Sequence, residues 1–234
     1  MSAIALTPPQ FVRAVQQALM PLADASQAVK MSAYLLDQFA FLGLQSPVRR
    51  QAVKAIGRVQ WQSVGDLLSA ADLLWQKPQR EYRYTAVDLL RQNSAMLTVN
   101  DLPALQVLLL RDPWWETVDG LSAVIAEVLH AAVAQKTNAA QLMDVWLKHP
   151  SHWVRRSAML HQLGWRLDTD TTRLFRYAQQ LSDEKEFFIR KAIGWALRDY
   201  ARWNPQAVTD FLLKHRTGMS SLTLREAAKH LTLP

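Results

Sequence analysis

Along almost the whole chain, apolar residues recur three and four positions apart, the period of a helix with one buried face. Between the polar breaks this spacing predicts helices over 8–20, 25–40, 47–58, 63–76, 79–92, 101–110, 113–135, 138–148, 152–165, 171–181, 184–203, 205–215 and 222–231. Several starts carry a polar cap followed by proline, whose fixed φ and missing N–H suit a first turn. Thr7-Pro8, Ser46-Pro47, Asp112-Pro113 and Asn204-Pro205 read this way, and Thr7 with Gln10 also fits a capping box. Short helices joined by a few polar residues are antiparallel neighbours. Many such pairs in one chain suit an all-α solenoid, in which each pair buries its face against the next. The spacing from Trp115 to Trp153 to Trp195, 38 and then 42 residues, lies near the period of HEAT-type pairs. No linker or low-complexity tract divides residues 1–234, so the expectation is a single helical-repeat domain.

Half of the 234 residues are hydrophobic, enough for a sizeable core, and 7 Gly with 10 Pro argue against a turn-dense all-β fold. The absence of Cys excludes disulfides, thiolate metal sites and Cys nucleophiles. Lys and Arg number 27 against 20 Asp and Glu, a net charge of +7 that favours a polyanionic partner. The amino terminus lacks the basic start and apolar run of a secretory signal, and no uninterrupted apolar run of membrane length is present. The expectation is a soluble cytoplasmic protein with no membrane association.

One predicted helix places an aromatic residue on its charged side. In Phe187–Tyr200, the residues Ile189, Ile193, Ala196, Leu197 and Tyr200 form one apolar stripe. Nearly opposite lie Lys191, Trp195, Arg198 and Arg202, so a Trp sits within a cationic ridge. One reading is a ring that covers a neighbouring repeat while the cations extend past it. The other is a nucleic-acid surface, with cations for phosphates and an aromatic plate for sugar or base. From Lys148 to Arg202 there are 11 Lys and Arg and 6 Asp and Glu, so this stretch holds +5 of the net charge. Trp153, Arg155 and Arg156 repeat the theme one helix pair earlier.

Trp115 and Asp119 are four residues apart and share a helix face. A carboxylate facing a polyphosphate is repelled by about 1 kcal/mol per close contact in water. If that face belongs to the same surface as the cationic ridge, it therefore implies a polyphosphate partner that is positive at one point; the alternative is a solvated Asp or the partner of a local Arg.

Together these residues resemble the bacterial AlkD-like DNA glycosylases of the DNA alkylation repair enzyme family. The matching stretches are Tyr34 with Phe41–Leu44 and Pro47–Arg50, Trp114–Asp119, Trp153–Ala158, Lys185–Tyr200 and Leu224–His230. The resemblance implies a helical-repeat protein whose concave basic surface holds duplex DNA. It further implies hydrolysis of the N-glycosidic bond of positively charged N3- or N7-alkylated purines, such as 3-methyladenine and 7-methylguanine, without flipping the base. Asp119 matches the catalytic carboxylate, and Trp115 and Trp195 the aromatic pair at the lesion's deoxyribose. Tyr34, Arg156 and Arg198 match other residues of the cleft, and Lys191, Arg202, Trp153 and Arg155 are expected beside DNA. No metal or other cofactor is implied. A monomer associated with the bacterial nucleoid is expected, and a catalytically silent DNA-binding repeat module is the alternative.

Some signals are read as structural. His149 and His152 flank Pro150 and lack the carboxylate a metal site would need. Glu184 and Glu186 suit helix capping. Trp61, Trp75 and Trp165 read as core aromatics.

Overall fold

The computed structural model describes residues 4–56, 59–135 and 137–231. Among them are thirteen α-helices, short 3₁₀ turns and no β-strand. The chain forms two compact units, residues 1–97 and 98–234.

The first unit contains α1 (Pro8–Leu19), α2 (Ala25–Tyr34), α3 (Ser46–Lys54), α4 (Val64–Trp75) and α5 (Arg80–Gln92). Its core joins Val15 and Leu19 of α1 to Leu67, Leu74 and Trp75 of α4, and Trp61 is buried edge-on against Phe11. The loop after α2 is organised by a buried carboxylate. Glu81 is fully buried and accepts hydrogen bonds from the amides of Leu42, Gly43 and Leu44 at 2.9, 2.8 and 3.0 Å. These three donors compensate the desolvation of a buried charge. Gly43 sits at φ +89, where a Cβ would fall 2.0 Å from the carbonyl oxygen of Asp24, so only glycine fits.

The second unit contains α6 (Leu102–Leu110), α7 (Trp115–Ala134), α8 (Gln141–Trp146), α9 (His152–Leu160), α10 (Thr171–Gln180), α11 (Phe187–Ala201), α12 (Pro205–His215) and α13 (Ser221–Ala227). Helices α7, α9, α11 and α13 pack one on the next, while α6, α8 and α10 each pair with the helix that follows and α12 packs on α11. This two-layer stacking is the helical-repeat arrangement expected from the periodicity. The predicted apolar stripe of α11 is buried throughout, from Ile189 to Tyr200. By length and mean hydropathy α7 would suit a membrane span. Its burial against α6 and α9 accounts for that composition instead, and it carries Glu116, Asp119 and Glu127.

Helix ends differ from the expected ones where the backbone turns left-handed. The helix expected over 25–40 stops at Tyr34 because Leu36 and Asp37 adopt φ +59 and +58. The one expected over 152–165 stops at Leu160, with Gly164 at φ +82 and Arg166 at +59 beyond it. Asp112, at φ +46, delays α7 to Trp115. At α3 the cap is Gln45, and Ser46 already lies inside the helix. Asn204 caps α12 as expected, accepting from the Ala207 amide at 3.1 Å.

His161 is a buried titratable group outside the site described below. It packs against Trp165 and Tyr177, and its Nδ1–H donates to the Ala158 carbonyl. Burial lowers its pKa from 6.5 to about 4. The unfolded chain therefore takes the proton first, and stability is lost as pH falls from 6.5 toward 4. His161→Phe is expected to flatten the fall of the urea midpoint across that window, as denaturation at stepped pH would measure.

Candidate active site

Each inner helix of the second unit contributes a charged or aromatic side chain to one contiguous cluster. Asp119 on α7 meets Arg156 on α9 in a two-pronged ion pair. Nε donates to Oδ1 and NH2 to Oδ2, both at 2.7 Å. The geometry is the planar fork that guanidinium and carboxylate form best. The third arm of Arg156, NH1, donates to the Phe188 carbonyl at the start of α11. Arg156 is 1% exposed, whereas the Asp119 side chain keeps 25% of its surface open. The pair thus buries its cation and leaves one edge of its anion reachable. Burial raises the Asp119 pKa above its usual 3.8, and the hydrogen bonds and charge of Arg156 oppose that rise.

The guanidinium also lies over the Trp195 ring, 5.0 Å from its centroid. Asp119 and Trp195 therefore belong to one site, joined through Arg156. Lys191 Nζ is 5.1 Å from the same centroid. The indole N–H of Trp195 donates to Glu226 Oε2 on α13 at 3.2 Å. Lys191, Arg198 and Lys229 close on the same carboxylate at 2.9, 3.0 and 3.5 Å. With these partners the Glu226 carboxyl falls from 4.5 to about 2. Three cations around one anion leave the ridge positive.

The other expected positions divide. Trp115 opens α7, half-buried and one turn before Asp119. Arg202 is exposed at the C-cap of α11. Tyr34 is 73% exposed at the end of α2, in the first unit. Trp153 was expected beside DNA, but it is only 6% exposed and packs its ring 4.8 Å from Phe188 and 5.9 Å from Trp114. It supports the loop before α7 and the start of α11 from beneath. Arg155, also expected beside DNA, is drawn to its own helix start. It donates to the carbonyls of His149 and Pro150 and pairs with Glu184 at 2.7 Å. Glu184 thus serves Arg155, and the cap of α11 is Glu186. His149 Nδ1 accepts from the Ser151 amide at 3.0 Å.

Glu226 and Phe188 escaped the sequence reading because their partners on other helices lie 28 to 35 residues away, beyond any helical period. One local sign was present. Gly194 stands mid-helix just before Trp195, where glycine costs about 1 kcal/mol relative to alanine unless a close approach requires it. A Cβ at 194 would lie 2.5 Å from Glu226 Cβ and 3.1 Å from the Thr223 carbonyl oxygen. The α11–α13 crossing therefore depends on that glycine. Gly194→Ala is expected to lower the melting temperature despite its better helix propensity, as calorimetry would show.

A stack of helix pairs that sets a fixed carboxylate beside a cation-flanked indole defines the class: an all-α repeat protein with a charged, aromatic site on its inner helices. The comparisons specify it further. The family model described as DNA alkylation repair enzyme matches residues 15–231, and the chain belongs to that family. Among solved structures it is similar to a predicted DNA alkylation repair enzyme from Enterococcus faecalis, 29% identical with a TM-score of 0.80, covering 90% of this chain and 97% of that one. AlkD2 from Streptococcus mutans shares the fold at 19% identity and a TM-score of 0.62, over 96% of this chain and 99% of that one. The smu.31 protein of Streptococcus mutans UA159 does so at 22% identity and a TM-score of 0.58, over 73% of this chain and 86% of that one. No curated protein matches the chain.

Proposed function

We propose that this protein is a DNA glycosylase that hydrolyses the N-glycosidic bond of positively charged N3- or N7-alkylated purines in duplex DNA. The observation that carries the reading is the Asp119 carboxylate, fixed in its plane by Arg156 beside Trp195 and still one-quarter open. A purine already cationic leaves as a neutral base when the C1′–N bond breaks, because the bonding pair neutralises it. No acid is needed for departure. What remains is an oxocarbenium-like sugar, and a preorganised anion close to C1′ stabilises it in the transition state. A carboxylate in that position also accepts a proton from the water that attacks C1′.

The aromatic faces of Trp115 and Trp195 suit a sugar that becomes positive. Lys191, Arg198 and Arg202 suit the flanking phosphates. Nothing in this scheme requires the base to leave the stack for a closed pocket, unlike the usual strategy for enzymes acting on bases.

One observation favours a second reading, a DNA-binding repeat module without catalysis. Both Asp119 oxygens already accept from Arg156, which offsets the charge available to the sugar. The two readings separate when the full chain is incubated with N-methylated duplex DNA and free bases are measured. Release of 7-methylguanine or 3-methyladenine with abasic sites left behind supports the glycosylase. Salt-dependent binding without release supports the silent module.

A further inference from the structure

We propose that Glu226, on α13, is a positioning residue for Trp195: its carboxylate holds the indole N–H and the two flanking ridge cations, so the ring is set before DNA arrives. This deepens the glycosylase reading and rests on it for the catalytic part.

The side chain is only 7% exposed, and a carboxylate that buried persists only when its oxygens are satisfied. Here every partner belongs to the ridge or adjoins it. Trp195 Nε1–H and Arg198 NH1 reach Oε2 at 3.2 and 3.0 Å, and Lys191 Nζ reaches Oε1 at 2.9 Å. An indole can only donate, so an acceptor at its edge fixes the ring in a way that an apolar neighbour cannot. The opposite constraint comes from Arg156, whose guanidinium lies over the ring and whose other contacts are Asp119 and Phe188. Trp195 is thus held at its nitrogen by α13 and over its face by α9. That geometry links Glu226 to the Asp119 site through the ring.

Gly194 makes the arrangement possible, since any Cβ there would collide with Glu226 Cβ. The depressed Glu226 carboxyl, at about 2, keeps the anion charged at every working pH. The functional consequence is preorganisation: a plate already oriented loses less freedom when the sugar docks. The carboxylate also fixes where Lys191 and Arg198 stand, so their remaining donors are presented to the flanking phosphates in one arrangement.

The test combines Glu226→Gln with Trp195→Phe, which removes the indole N–H. In single-turnover base release at saturating enzyme, Glu226→Gln is expected to slow release about tenfold. Affinity for unmodified duplex should stay the same or rise, because the three cations lose their anion. In the Trp195→Phe background the same change should add nothing further. Effects that multiply would mean that Glu226 acts otherwise than through the indole, and would overturn the proposal.

A second readout does not need catalysis. The indole ¹H–¹⁵N signal of Trp195, identified by its loss in Trp195→Phe, should exchange with solvent about tenfold faster in Glu226→Ala, which removes the acceptor that Gln would still offer. Unchanged exchange overturns the clamp. If the Gln variant fails to fold, Glu226→Asp, which keeps the charge and withdraws the carboxylate from the indole, is measured in its place, and slower release with faster indole exchange is again expected. A wild-type protein that releases no base defeats the glycosylase reading alone, and the exchange experiment still decides the role of Glu226.

Discussion

Asp119→Asn is expected to lower the rate of base release from methylated duplex DNA by about two to three orders of magnitude, while DNA affinity stays equal or improves. The two directions have one cause. The carboxylate stabilises positive charge that exists in full only as the glycosidic bond breaks, so its removal costs the transition state far more than the bound state. Toward the phosphates of unreacted DNA the same charge is repulsive, and neutralising it removes that penalty. A uniform loss of binding and rate would instead mark Asp119 as a structural partner of Arg156. The pH profile supplies an independent check. Burial raises the Asp119 carboxyl above its usual 3.8, so release by the wild type should decline on the acid side at a pH above that of a free aspartate. Asn does not titrate, and the residual rate of that variant should show no such limb.

The second large effect is expected at Arg156, and it is one of stability. Arg156→Ala should destabilise the fold by about 3–5 kcal/mol, because it leaves a partly desolvated carboxylate without its cation. The same side chain ties α7 to α9 through Asp119 and reaches α11 through the Phe188 carbonyl. Arg156→Lys keeps the charge but not the planar fork, and should fall between alanine and wild type. Removing both partners, as Asp119→Ala with Arg156→Ala, should cost less than the sum of the single changes. Urea denaturation of the wild type, the three single variants and the double variant measures this directly. A loss below about 1 kcal/mol for Arg156→Ala would place the pair among solvated surface bridges of little energetic weight.

Much of the fold was legible because its information is local. The stripe from Ile189 to Tyr200 follows from a helical period, and Asn204-Pro205 follows from the geometry of a first turn. What escaped was non-local or hidden in the backbone. No residue type at 36 and 37 announces a left-handed turn, since Leu and Asp both pay to adopt it. Arg156 and Trp195 were legible as members of a basic, aromatic surface. That Arg156 would be wholly buried, with Asp119 as its partner, was open in the sequence because helix periodicity does not set which faces of α7 and α9 meet. Trp153 shows the converse error. It lies near two arginines in sequence, yet its neighbours in space are Trp114 and Phe188, and ring packing outweighed the charge pattern. Glu226 stood inside a stretch already matched to the family, without a role, because its partners lie on a helix one repeat earlier.

The most direct measurement uses duplexes that contain a sugar mimic at the lesion position, one a cationic pyrrolidine and the other its neutral tetrahydrofuran counterpart. The wild type should bind the cationic duplex at least tenfold more tightly, and Asp119→Asn should bind both alike. Equal affinity of the wild type for the two duplexes would contradict an anion placed to stabilise a positive sugar.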